Sequence, residues 1–325
     1  MAARAAALRA RRNGASRARR NGAVRGHGIA PAFVPGFEPL RRAIEQRLAH
    51  VLRERADGPG RLGPALRYAA LSPGKRVRPL LVLSACEAVG GPWKRALPAA
   101  VAVECVHAFS LAHDDLPAMD DDDYRRGRLT THKKFGEALG VLAGDALLAF
   151  AFEELSRLAD DGVPAARVVE AVRRLGHAAG AEQLVGGQAL DIAAEGRKPT
   201  ARLVRDIHER KTGALMGAAL ALGALAGDAD AHTVESLDQA GRMVGLAFQI
   251  QDDLLNASSS LRALGKPPGT DAARGKATFP AAVGEARARR EVATLLKTVR
   301  GALARRCAKP ERLLRLIEAV GKRER

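Results

Sequence analysis

The densest chemistry in the chain lies in His113-Asp114-Asp115-Leu116-Pro117-Ala118-Met119-Asp120-Asp121-Asp122-Asp123, where six carboxylates fall within ten residues. Like charges this close repel one another, and a helix gains nothing from them unless a cation is present. Hard oxygens at this density suit magnesium bound together with a substrate phosphate. Taken alone, such a run also fits a solvated acidic loop. A second set shifts that balance. Gln249-Ile250-Gln251-Asp252-Asp253-Leu254-Leu255-Asn256 ends another apolar stretch, and positions 252 and 256 are one turn apart on one helix face. Two acid sets, each at the end of a buried helix, can face each other across a cavity and hold several ions around one diphosphate.

Basic residues complete the constellation. Gly74-Lys75-Arg76-Val77-Arg78-Pro79 follows a helix break, and Pro79 suits the first turn of a new helix. Cations near a helix N-terminus favour a bound diphosphate. Arg125-Arg126-Gly127 follows the first acid run directly, and Lys211-Thr212-Gly213 and Gly265-Lys266 bracket the second. Any single basic pair also fits a role in surface solubility.

The elements that must position these groups read as helices. Leu40, Ile44 and Leu48 recur every four residues, and Val292, Leu295, Leu296, Val299 and Leu303 follow the same helical spacing. Sustained strict alternation is absent. Breakers stand at Pro73-Gly74, Gly90-Gly91-Pro92, Asp161-Gly162 and Gly265 to Gly269. With 47% hydrophobic residues but only 3% aromatics, the core must be built mainly of Ala, Leu and Val, which favours close-packed helices over a sheet. The expected fold is all-α, one large helical bundle around a central cavity over residues 37–325. Residues 1–36 read as a disordered Arg-rich extension. This stretch repeats Arg-Arg-Asn-Gly-Ala at 11–15 and 19–23, lacks acids and cannot bury a core. A transit peptide and a misplaced start are the alternatives there.

Eight arginines in that extension account for nearly half of the net charge of +17, and the remainder still favours anionic partners. Cys86, Cys105 and Cys307 are widely spaced and suggest neither zinc nor disulfides, which fits a reducing, cytoplasmic setting. No apolar run reaches 18 residues, and Ala214 to Ala226 reads as a buried core helix.

The ordered motifs resemble those of trans-isoprenyl diphosphate synthases. Asp114 to Asp120 followed by Arg125-Arg126-Gly127 looks like the first aspartate-rich motif of that family, and Gly245 to Asp253 looks like the second. Gly74 to Pro79, Gly186-Gly187-Gln188-Ala189-Leu190-Asp191 and Lys211-Thr212-Gly213 match intervening segments. The resemblance implies an isoprenoid-synthase-type bundle, a homodimer, and up to three magnesium ions bound with an allylic diphosphate. It assigns Asp114 and Asp120, supported by Asp115, to two ions and Asp252 to the third. Arg125, Lys211 and Lys266 would grip the allylic diphosphate. Lys75, Arg78, His107 and Arg126 would hold isopentenyl diphosphate. Thr212 and Gln249 would turn oxygens towards the developing allylic cation. Phe109 with Ser110, five and four residues before Asp114, and the lengthening residues Pro117 and Ala118 resemble bacterial farnesyl diphosphate synthases, which implies that Phe109 and Ser110 set product length at fifteen carbons, with the twenty-carbon geranylgeranyl product as the alternative. The sequence departs from the family at Asn256 and Ser260, where acids are usual, and this weakens the expected third metal site.

Three other functions compete. A regulatory subunit is suggested by Asn256 and opposed by the intact first motif. A terpene cyclase needs no second diphosphate, which the pairs Lys75/Arg78 and Arg125/Arg126 argue against. A nucleic-acid binder lacks aromatics for base stacking, so no nucleic-acid partner is expected.

Overall fold

The computed structural model describes residues 34–53, 60–258 and 276–321. Helix α1 (Glu38–Arg53) buries Leu40, Ile44 and Leu48, the four-residue stripe expected from the sequence. Helices α2 (Leu62–Ala70) and α3 (Val77–Ala88) follow, with Pro79 in the first turn of α3 as its missing N–H allows. A short 3-10 turn, Trp93–Ala96, leads into α4 (Leu97–Asp114), which ends at the first acid run. The chain then forms a two-residue hairpin, Tyr124–Arg125 against Arg128–Leu129, the sole β-structure among the described residues. Arg126 and Gly127 at its tip have φ of 53° and 76°. Both central residues of such a tight hairpin turn need positive φ, which glycine tolerates and which costs Arg126 roughly 1–2 kcal/mol.

Helices α5 (Thr131–Phe135), α6 (Glu137–Ser156), α7 (Ala165–Ala179) and α8 (Leu184–Ala194) continue the bundle. Helix α9 (Ala201–His208) runs through one π-helical turn, Glu209–Gly213, into α10 (Ala214–Ala226). Every residue of α10 is buried, so it is the central strut, packed by α3, α7 and the long α11 (Ala231–Ser258). Helices α12 (Phe279–Val283), α13 (Glu285–Arg306) and α14 (Glu311–Gly321) close the far side against α11. Leu80, Leu81, Leu83, Leu147 and Leu155 are fully or almost fully buried, each contributing about 1.5–3 kcal/mol of hydrophobic stabilisation. The segment Trp93–Asp114 is long and apolar enough to cross a membrane, but 72% of its apolar window is buried within the bundle; it is a core helix.

Candidate active site

A cavity of about 530 Å³ opens between α4, α8, the π-turn and α11, beside the hairpin. The expected residues Arg78, His107, Phe109, Ser110, Asp114, Arg125, Arg126, Lys211, Thr212, Gln249 and Asp252 all line it. Sequence positions up to 174 apart thus converge on one space. Lys75, Asp115 and Asp120 lie outside this lining. Lys266 and Ser260 lie outside the described residues.

The first acid motif is a wound turn rather than more helix. Pro117 has no N–H to continue the ladder; instead Asp120 N–H donates to the Asp114 carbonyl at 2.8 Å, and Asp121 N–H to that of Leu116 at 3.1 Å. The turn brings the ends of the motif together while sending its carboxylates apart. Asp114 faces the cavity, where burial pushes its carboxyl up to about 6 despite Lys211 nearby. Asp115 turns inward, 3% exposed, and accepts from Arg125 Nη2 at 2.6 Å and Nε at 2.7 Å. That two-point contact keeps the Arg125 guanidinium charged against its own desolvation. Asp115 therefore aims Arg125 into the cavity rather than entering it. Asp120 meets the ammonium of Lys276 at 3.1 Å.

The second motif sits on continuous helix. Asp252 faces the cavity, and Asn256 follows one turn later. Asp253 points the other way: it is buried, accepts the Phe279 N–H at 2.8 Å and faces His208 Nε2 at 3.5 Å. It is an anchor for the start of α12. Burial lowers the His208 imidazole to about 4, so His208 stands beside Asp253 as a neutral ring near pH 7.

The π-turn presents Lys211 and Thr212, in keeping with the frequent use of such wide turns at functional sites. Lys211 Nζ is held by Asp191 at 2.8 Å. The Thr212 hydroxyl donates to Gln249 Oε1 at 3.0 Å. This contact needs the π-turn and α11 to touch backbone to backbone. A Cβ on Gly245 would fall 2.6 Å from the Gly213 Cα, a separation that no side chain tolerates.

The basic wall comes from α3 and the hairpin. Arg126 Nη1 donates to the Pro73 carbonyl at 2.6 Å and lies over Gly74, so the two basic segments seen in the sequence form one surface. Arg76, left-handed at φ 51°, turns away from it and is buried against Glu104 at 2.5 Å and Glu45 at 2.9 Å. Arg78 differs. Its guanidinium reaches His107 Nε2 at 3.4 Å, while its buried Nε meets no hydrogen-bond partner among the described residues. Burial lowers it to about 10. Burial, reinforced by Arg78, holds the His107 imidazole well below its usual range, so it is neutral. A buried cation short of acceptors is a ready seat for an anion.

Two residues absent from the sequence reading as site residues join the site. Asp191 binds both Lys211 and Lys276, at 2.8 and 3.5 Å, and these cations keep its carboxylate below the ordinary range against the opposing pull of burial. Lys276 spans Asp120 and Asp191. Asp191 had a visible signal, an acid one helical turn after Gln188 in an otherwise apolar helix; Lys276 had none. As a metal site the acids are open. Among the described residues no three His, Cys, Asp or Glu side chains converge on one point. The all-oxygen donor set of Asp114, Asp120 and Asp252 fits a hard dication that completes its shell with phosphate oxygens and water. The seat of the Lys276 ammonium on Asp120 shows that positive charge is accommodated there.

An all-α bundle whose cavity sets carboxylates from two helices against a basic wall defines the isoprenoid synthase fold. The chain belongs to the polyprenyl synthetase family, which its residues 60–319 match. It is 43% identical to a farnesyl diphosphate synthase of Geobacillus stearothermophilus over 253 residues, 78% of this chain and 85% of that one. It is 47% identical to the chloroplastic geranylgeranyl pyrophosphate synthase 11 of Arabidopsis thaliana over 72% of this chain and 66% of that one. A geranyltransferase of Helicobacter pylori, solved with magnesium and isoprenyl diphosphate, superposes with a TM-score of 0.75 at 30% identity, covering 90% of this chain and all of that one.

Proposed function

We propose that the chain is a magnesium-dependent short-chain prenyl diphosphate synthase. It condenses isopentenyl diphosphate with dimethylallyl and geranyl diphosphates to give the fifteen-carbon farnesyl diphosphate. The observation that carries this reading is the cavity itself, lined together by Asp114 and Asp252 from two different helices, by Arg78 and Arg126 of the basic wall, and by Phe109. Two diphosphates of different kinds fit two such sites, one acidic and metal-dependent, one basic.

Asp114, Asp120 and Asp252 would hold up to three magnesium ions, which when bound supply positive charge to the leaving diphosphate. Lys211, steadied by Asp191, and Arg125, steadied by Asp115, bind that diphosphate directly. Arg78, Arg126 and neutral His107 seat isopentenyl diphosphate, with Lys75 and Lys266 as further cations of the two sites. The allylic C–O bond breaks with both electrons leaving on the diphosphate. The isopentenyl double bond then bonds to the allylic carbon, and a proton leaves to the departed diphosphate. The joined oxygens of Thr212 and Gln249 would face the developing cation, and the apolar members of the lining, Phe109, Leu184, Ile192 and Phe248, would keep from it water that would quench it. Residues 37–325 act as one catalytic domain in the cytoplasm, with 1–36 as an extension. The exposed apolar Val141 and Leu142 on α6 are consistent with a homodimer, checked by light scattering.

Phe109 is nearly buried and lies in the cavity lining, five residues before Asp114, or about 7.5 Å along the helix. We assign it as the floor that stops growth at fifteen carbons. A twenty-carbon product is the second reading, motivated by the geranylgeranyl pyrophosphate synthases among the relatives. Chromatography of dephosphorylated products decides. The wild type is expected to give farnesol, and Phe109→Ala, checked for folding because a new cavity costs about 3–5 kcal/mol, to give longer alcohols. A wild type already making twenty carbons, or an unchanged Phe109→Ala product, overturns the floor.

A further inference from the structure

The floor residue does not stand alone. One turn along α4, His113 packs edge-to-face on Phe109, with ring centroids 5.1 Å apart and planes at 83°. His113 also lines the cavity. Its imidazole is fixed from the opposite side by α6 in two ways. Nε2 lies 2.9 Å from the Val141 carbonyl oxygen; that oxygen only accepts, so Nε2 carries the proton. The ring also fills a notch left by Gly144, where a Cβ would fall 2.1 Å from Nε2 and 2.3 Å from Cδ2. The far ends of both side chains are thereby immobilised, because the glycine notch and the carbonyl each restrict rotation of the imidazole and the imidazole edge restricts the phenyl ring.

We propose that His113, seated on Gly144 and the Val141 carbonyl, is a second determinant of product length, acting as a positioning residue that holds Phe109 in its blocking orientation. The inference rests on the floor assigned to Phe109. An aromatic ring with space beside it can turn aside for a growing apolar chain, whereas a ring propped edge-on by a clamped neighbour cannot. Chain length is then set jointly by α4 and α6. A substitution on α6, outside both acid motifs, should change the product.

The test compares product distributions of Phe109→Ala, His113→Ala, Gly144→Ala and the double variant His113→Ala/Gly144→Ala, each checked for helical content by circular dichroism. Loss of one edge-to-face ring pair predicts that His113→Ala raises the ratio of longer to fifteen-carbon product roughly threefold to tenfold. The Michaelis constant for isopentenyl diphosphate should stay at its wild-type value. Gly144→Ala pushes the imidazole out of its notch and should broaden the products in the same way. In the double variant the added methyl fills vacated space, so its distribution should match His113→Ala alone, the signature of residues acting through one contact. A merely structural role would lower total turnover with the distribution unmoved. A wild-type distribution in His113→Ala beside longer products in Phe109→Ala overturns the inference and leaves the floor standing. A wild-type distribution in Phe109→Ala overturns both. If Gly144→Ala fails to fold, His113→Ala decides.

Discussion

The two acid motifs carry similar residues and use them differently. The first lies in a turn after α4, wound by Asp120 N–H on the Asp114 carbonyl, and its acids point in several directions. Asp114 faces the cavity, Asp115 is buried against Arg125 and Asp120 meets Lys276. The second lies on unbroken helix, where successive side chains are about 100° apart, so Asp252 enters the cavity and Asp253, turned off that face, is buried against Phe279. The turn leaves Asp120 close enough for its charge to act on Asp114 while Asp115 is spent on Arg125. A straight helix offers one per turn and leaves its neighbour for structure.

The largest expected effect falls on the cavity-facing member of each motif. Asp114→Ala and Asp252→Ala should each lower turnover by at least about 10³-fold, the scale of a lost metal ligand, with circular dichroism unchanged. Near-normal activity in either variant, measured with labelled isopentenyl diphosphate, removes the proposed site. Asp253→Ala should behave differently. It leaves the Phe279 N–H without its acceptor in a buried place, a loss of about 1–3 kcal/mol, read as a lowered midpoint in urea. At low temperature it should retain far more activity than Asp252→Ala, and equal inactivation of the two would erase the distinction between the motifs. The smallest effect is expected at Asn256. Asn256→Asp adds a carboxylate one turn beyond Asp252 and should lower the magnesium concentration for half-maximal rate. An unchanged magnesium dependence would separate position 256 from the ion.

Part of this division was legible in the sequence. Pro117 marks the end of regular helix inside the first motif, and the apolar stretch before Asp114 predicts the buried α4 that carries it. The inward turn of Asp253 could also have been read, since Asp253 shares a helical stripe with Leu246 and Ile250, both buried. What local pattern cannot supply is a pairing across the chain. Lys276 meets Asp191 and Asp120, 85 and 156 residues away, and nothing near any of the three announces the others. Arg76 and Arg78 look alike in sequence, two cations at the start of one helix. They separate because the left-handed backbone at Arg76 delivers its side chain to Glu45 and Glu104, on helices still unplaced when only the sequence is known.

The π-turn at Glu209–Gly213 joins two helices of different character. A wide turn spends one residue more than regular helix would over the same rise, so it works as a rotary offset between α9 and α10. Before it, α9 is amphipathic, with Val204 and Ile207 buried among polar neighbours; after it, every position of α10 is buried. Deleting a single residue here would therefore restore regular helix with α9 and α10 left in place, and the loss would fall on Lys211 and Thr212, which the extra residue alone delivers to the cavity.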